Sequence, residues 1–365
     1  MLGTTFKNRR VLISGHTGFK GSWLSIWLLL LGAEIIGYSL EPPSNPNNFE
    51  ACGLLDKVTH IHGDVRDYEH LLSVFQSHSP EFVFHLAAQP LVRFSYKEPR
   101  LTYETNVIGT VNVLEVTRQT PSVRVVVNAT SDKCYENREW AWGYREVDAL
   151  GGHDPYSSSK GCAELVNAAY LRSFFPPDQY GITHNVALAS VRSGNVIGGG
   201  DWGNDRLVPD CVRALSKGEK IVLRSPQAVR PWQYVLDSIG GYLLLGAKLW
   251  AEGPQFTGAW NFGPSENNLW TVEAVVLEVI RLWGQGDYSV LPEELLHEAH
   301  WLKLDCSKAR TKLGWQCRYD MKTALAATVD WYREFYKGRT CEDLLDFASG
   351  QIRAYQTLQE KSGIA

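Results

Sequence analysis

Short apolar runs alternate with longer stretches of helical spacing through the first half of the chain. Val11–Ser14, Ile35–Tyr38, Val58–Ile61, Phe82–Leu86, Val123–Val127 and Val186–Val191 are four to six residues long, rich in β-branched side chains and bounded by turn residues. Such runs read as strands. Their hydrophobicity is continuous rather than alternating, the mark of strands covered on both faces. Between them, the stretches from the glycine turn to about Leu31, from Thr102 to Gln119 and from Tyr156 to Phe174 keep apolar residues at three- and four-residue spacing. Strands separated by helices predict βαβ units, hence an α/β fold with a doubly wound parallel sheet. The pattern then changes. Gly, Trp and Pro cluster over Gly198–Pro209 and Ser225–Trp232, and helices are expected at about 236–252, 271–283 and 322–337. This predicts a first domain over 1–192, to which 236–262 returns, and a smaller mixed lobe built from 193–235 and 263–350.

Composition narrows the function classes. The 365 residues include 36 basic and 40 acidic side chains, for a net charge of −4, with 44% hydrophobic and 21% charged residues. That excludes wholesale disorder and removes the bulk attraction expected of a nucleic-acid or anionic-membrane binder. Basic pockets for a single phosphate group remain compatible with it. Thirteen tryptophans serve either ligand and subunit surfaces or the core. Seven scattered cysteines without a Cys-x-x-Cys pair argue against a disulfide framework or a zinc site and fit a cytoplasmic protein. The histidines of His60–His62 and His297–His300 lack a further ligand cluster, so no metal is expected. The apolar run Trp23–Leu31 is too short to span a bilayer, and no signal-peptide pattern precedes it.

Three constellations carry candidate chemistry. Gly15, His16, Thr17, Gly18, Phe19, Lys20 and Gly21 link the first strand to the first helix. Glycines there permit a tight turn and let backbone amides meet a pyrophosphate at a helix N-terminus. The expectation is a Rossmann-type dinucleotide site. Glu41, about twenty residues on, is either the ribose-binding acid, which would favour NAD over NADP, or a solvated loop residue. Asp64 and Val65 follow the third strand, where Asp64 can meet an adenine or simply cap a turn. Tyr156 and Lys160 stand four apart on one helix face, so the ammonium can stabilise a phenolate. At the end of the fifth strand, Ser131 can bind a substrate hydroxyl, and Asp132 and Lys133 place two further ionisable groups beside it. An ion pair that merely shapes this loop is the alternative for the last two.

The segments GHTGFKG, GDVRD, HLAAQ, NVIGT, ATSDKCYEN, DPYSSSK, SVRSGNVIGGGDW, VRPWQYVLD and LDCSKARTKLGW span about residues 8–335. In them the chain resembles the CDP-D-glucose 4,6-dehydratases, extended short-chain dehydrogenase/reductases acting on nucleotide sugars. The resemblance implies a lyase that oxidises C4 with NAD, eliminates water across C5 and C6, and returns the hydride to C6. It implies a step in bacterial deoxysugar and O-antigen biosynthesis. Ala87 and Ala88 would line the cofactor, Gln89 and Asn106 the cofactor or sugar, and Arg192, Asn195 and Arg206 the substrate. Arg230 would face the diphosphate. Related dTDP-glucose dehydratases carry Glu where Lys133 stands, so the C5 base is open: Lys133 serves either as a neutral base there or as a cation that stabilises the developing enolate. The helices at 102–119 and 156–174 would form a homodimer as a four-helix bundle, with a tetramer left open. An epimerase or decarboxylase of the same fold is the competing reading.

Overall fold

The computed structural model describes residues 2–264, 269–291 and 302–361. The histidines at 297 and 300 therefore lie outside the described residues. Twelve strands are present among them: β1 Arg10–Ser14, β2 Glu34–Ser39, β3 Thr59–His62, β4 Phe82–His85, β5 Val125–Ala129, β6 Ala187–Ser193, β7 Asn195–Ile197, β8 Ile221–Leu223, β9 Val229–Tyr234, β10 Gly258–Phe262, β11 Leu269–Thr271 and β12 Tyr288–Val290. Seven form the central sheet in the order β10-β6-β5-β4-β1-β2-β3. Every pairing in it is parallel. Successive side chains point to opposite faces, which explains why the runs had to be apolar throughout. Val11, Ile13, Phe82, Phe84, Val125, Val127, Ala187 and Ala189 enter one core with Trp23 and Trp27. Leu12, Val83, Val126 and Leu188 enter the other, with Leu71, Phe75 and Val113.

The sequence pattern and the structure differ at instructive places. The stretch expected as one helix at 102–119 is Pro99–Tyr103, a wide π turn over Glu104–Ile108, then Gly109–Arg118. The helix Tyr68–His78, capped by the Asp67 side chain on the His70 N–H, had too few apolar positions to stand out. The run predicted from Val123 starts its ladder at Val125, because the Val123 N–H closes a turn on the Thr120 carbonyl.

After β6 the chain builds two small sheets, β11-β9-β7 and β12-β8. The helix Val235–Glu252 and β10 lie with the central sheet, β10 pairing β6 from Gly258↔Ala189 to Phe262↔Ser193. Helices Leu207–Ser216, Val272–Trp283 and Met321–Tyr336 surround the small sheets. The helix Cys341–Lys361 returns to the helix Phe19–Leu30, where Tyr355 packs edge-on against Trp27 with ring centres 5.7 Å apart. Most tryptophans serve the core: Trp23, Trp27, Trp260 and Trp331 are fully buried, whereas Trp142 is 62% exposed. All seven cysteines are free thiols. Among the described residues no helix is long and apolar enough to cross a membrane, and no group of three or more His, Cys, Asp or Glu could hold a metal.

Candidate active site

The chain runs from β1 to β2 and β3 on one side and through β4, β5 and β6 on the other, so the order reverses between β1 and β4. Ligands bind such sheets at the carboxyl ends of the strands beside that switch point. Gly15 leaves β1 there with φ +77°, and a side chain on it would meet the Ala87 backbone nitrogen at 2.7 Å. At Gly21 a Cβ would lie 2.1 Å from the Gly15 carbonyl oxygen. The loop and the first turn of the helix Phe19–Leu30 thus interlock as bare backbone. Gly18 caps that helix without any side-chain hydrogen bond, leaving its first amides open to an anion.

The loop side chains have separate tasks. His16 is buried, with Nε2 2.7 Å from Nδ1 of His60 and its ring edge-on to Phe49. Burial, helped by the His60 charge, pushes it down to about 3. Thr17 Oγ1 meets Ser39 Oγ at 2.5 Å and donates to the Leu40 carbonyl. Phe19 packs on the core, and the Lys20 ammonium lies 5.9 Å from the centre of the Tyr242 ring. Glu41, just past β2, is 80% exposed and 3.8 Å from His62 Nε2. Both carboxylate oxygens of Asp64 are taken by Arg66, with contacts of 2.5–3.1 Å. Burial pushes this carboxyl up, but Arg66 outweighs it and holds the group below the usual range. Val65 is buried against Gly109, and Asn112, which the sequence reading missed, donates to the Val65 carbonyl at 2.9 Å. Ala87 donates its N–H to Ser14 Oγ at 3.3 Å, and Ala88 follows it, half-buried.

The catalytic candidates meet beyond β5. Ser131 caps the short turn Asp132–Cys134, accepting from the Lys133 N–H at 3.2 Å and donating to Asp132 Oδ1 at 2.9 Å. Gly194 lets Asp132 in: a Cβ there would be 2.9 Å from Oδ2. Burial pushes the Asp132 carboxyl up, against the pull of Lys133, Ser131 and Lys20. The direction is the one that suits a group giving up a proton. Tyr156 opens the helix Pro155–Ser173, its N–H on Ser95 Oγ at 3.2 Å. Burial pushes its phenol up to about 12, while hydrogen bonding with Ser131 and the charge of Arg206 work the other way. One turn on, Lys160 Nζ donates to the Ala129 carbonyl at 3.3 Å. Burial and the Lys20 charge bring it down to about 8. Ser131, Asp132, Tyr156 and Lys160 therefore share one buried edge, with half-buried Lys133 beside them.

Other expected residues are placed differently. Gln89 and Asn106 have their side chains engaged inside the protein: Asn106 Oδ1 accepts from the Gln89 N–H at 2.8 Å, Asn106 Nδ2 donates to Ser159 Oγ at 2.8 Å, and Gln89 Nε2 donates to Thr102 Oγ1 at 2.9 Å. They tie the loop after β4 to the helix Pro155–Ser173. Arg192, expected to meet substrate, is held in an ion pair with Glu164, each side chain only 3% exposed. Arg206 caps the helix Leu207–Ser216, pairs with Asp201 at 2.9 Å and is close enough for its charge to act on Tyr156. Asn195 begins β7 opposite Trp232. Arg230 lies on β9, with NH1 donating to the Val229 carbonyl at 3.2 Å. Glu164 itself was missed, although its spacing from Tyr156 and Lys160 was a readable signal.

The site's residues fall within a match to the GDP-mannose 4,6-dehydratase family that covers residues 12–328. The chain belongs to that family. Its sequence is 48% identical to a CDP-glucose 4,6-dehydratase of Salmonella typhimurium over 96% of this chain and 97% of the relative. A UDP-glucose 4-epimerase of Halalkalibacterium halodurans is 26% identical over 91% of this chain and 98% of its own length. Among solved structures, the UDP-glucose 4-epimerase of Thermus thermophilus in complex with NAD superposes with a TM-score of 0.76 at 25% identity, covering 89% of this chain and 99% of that one. The dTDP-glucose 4,6-dehydratase of Bacillus anthracis in complex with NAD gives 0.73 at 23%, covering 90% and 98%. This family's parallel seven-stranded sheet with a smaller mixed lobe is the fold described above.

Proposed function

We propose that the protein is an NAD-dependent CDP-glucose 4,6-dehydratase that converts CDP-D-glucose to CDP-4-dehydro-6-deoxy-D-glucose and water. The observation that carries this reading is a buried acid, Asp132, beside the Ser131–Tyr156–Lys160 set. An oxidation at C4 needs only the latter three; expelling the C6 hydroxyl needs a proton donor as well. The glycine cradle fits NAD, because a Cβ at Gly15 or Gly21 would close it and the helix behind it leaves its first amides open. When bound, NAD supplies the acceptor for the C4 hydride and the donor that returns it to C6.

The chain's own groups do the proton work. Tyr156 takes the O4 proton as phenolate, Lys160 stabilises that charge, and Ser131 orients the hydroxyl. The resulting ketone acidifies C5–H. Asp132 delivers a proton to the leaving O6, and Lys133 assists at C5, either as a neutral base or as a cation beside the developing enolate. Arg206, Asn195 and Arg230 hold the nucleotide-sugar from the smaller lobe, assigned to 193–235 and 263–350. Glu41 favours NAD over NADP by repelling a 2′-phosphate. The product would enter the deoxysugars of bacterial O antigens. The helices around 102–119 and 156–174 present Tyr103, Ile108 and Leu165 at 37%, 49% and 59% exposure, which supports a homodimer through a four-helix bundle. Incubation with CDP-glucose, dTDP-glucose, UDP-glucose and GDP-mannose tests the assignment. The 4-keto-6-deoxy product, with its alkaline ultraviolet absorbance, should form fastest from CDP-glucose; an epimer with no such absorbance would contradict it.

A further inference from the structure

The helix Pro155–Ser173 carries a third ionisable group in register with Tyr156 and Lys160. Glu164 follows Lys160 by four residues, as Lys160 follows Tyr156, so all three share one face. Arg192 NH2 meets its Oε2 at 2.7 Å, with both side chains 3% exposed. Thr130 Oγ1 donates to Oε1 at 2.5 Å and Ser190 Oγ to Oε2 at 2.7 Å. One carboxylate therefore joins the catalytic helix, the residue before Ser131 and two positions of β6. Arg192 extends the brace: NH1 donates to the Tyr135 oxygen at 2.6 Å, and Tyr135 donates to Asn261 Oδ1 on β10 at 2.8 Å. Buried ion pairs are costly to desolvate, and apolar replacements of similar volume are often at least as stable. Stability alone is a poor reason for this one.

Its place relative to Lys160 is a better reason. Lys20 faces Lys160 from the glycine loop and, with burial, favours the neutral amine; Glu164 and Cys134 favour the cation. His85 faces it from β4, kept neutral by its own burial and by the Lys160 charge. Tyr156 and Asp132 complete the edge. Glu164 is the carboxylate on the far side of Lys160 from the phenol.

We propose that Glu164, held by Arg192, is a positioning residue that keeps Lys160 cationic beside Tyr156 and fixes the Thr130–Asp132 turn beneath the substrate. Its consequence for turnover rests on the dehydratase reading; its hold on Lys160 does not.

Competitive acetylation of Lys160 by trace acetic anhydride across pH, read by peptide mass spectrometry without substrate or added cofactor, tests that hold directly. In E164Q the Lys160 midpoint should fall by about one unit, about a tenfold loss of proton affinity. The alkaline limb of kcat with CDP-glucose should move to lower pH by a similar amount, with KM little changed. E164Q leaves a buried guanidinium unpaired, so E164Q/R192M is the second variant. It removes both charges, and its Lys160 midpoint should remain low. A wild-type midpoint and pH profile in the double variant would overturn the proposal, since the pair would then be merely structural. If the midpoint moves as expected while the unaltered enzyme converts no nucleotide-glucose, the dehydratase reading falls and the hold on Lys160 stands.

Discussion

Tyr156 is a poor base where it stands. Burial pushes its phenol up to about 12, and Lys160, brought down to about 8, is the nearest remedy along its helix. A Tyr156→Phe variant should fold normally, with an unchanged circular dichroism spectrum, and lose at least about a hundredfold in kcat. Near-normal turnover would remove the phenol from the mechanism. Because Lys160 loses its charge near pH 8, activity should decline above that value, and a pH-rate profile flat to pH 10 would contradict the pairing. At this scale the sequence singled out Tyr156 with Lys160 and Ser131 with Asp132, and the structure brings all four to one buried edge. The ion pair of Arg192 was not legible, because its partner Glu164 lies 28 residues away in the chain and meets it only where the helix Pro155–Ser173 packs on β6. Gln89 and Asn106 failed to stand out as internal ties for the same reason, since their partners lie 17 residues apart in the chain.

Helices and strands were legible wherever burial was one-sided or complete. The inner strands lie between two cores, so most of their residues had to be apolar, and their runs could be read directly. The three-residue strands β7, β8, β11 and β12 carry too few positions for any period. The π turn at Glu104–Ile108 was invisible because its apolar spacing still resembles a helix. The glycine loop is the element on which the cofactor assignment depends. Gly21→Ala would place a methyl 2.1 Å from the Gly15 carbonyl, forcing the helix away from the loop. Overpacking of this kind costs about 1–3 kcal/mol. The variant should melt several degrees lower and bind NAD at least about tenfold more weakly by calorimetric titration. Unchanged NAD affinity would show that the loop is only a turn.

Across the whole molecule, the helix Cys341–Lys361 was not anticipated, yet it is tied to the helix Val235–Glu252 through Asp237. The Asp237 carboxylate accepts from the Arg318 N–H at 2.6 Å and from the Tyr355 hydroxyl at 2.7 Å. Burial, opposed by these hydrogen bonds, leaves the group up at about 6. Folded protein thus holds this proton more tightly than unfolded chain, where the value is about 3.9. The stability it contributes is complete below about pH 4 and is lost as pH rises through 6, an effect on the order of 3 kcal/mol. Asp237→Asn keeps an acceptor for Arg318 and removes the titration. The Tm difference between wild type and variant should therefore shrink or reverse between pH 4 and pH 7, and a constant difference would count against it. The central claim concerns one closed reaction at the edge of the main sheet, and isotope transfer tests it most directly. Deuterium placed at C4 of CDP-glucose should be found by mass spectrometry and NMR at C6 of the product, within the same sugar, with no net NADH released. Label that returns to C4, or that leaves with the cofactor, would contradict the dehydratase account.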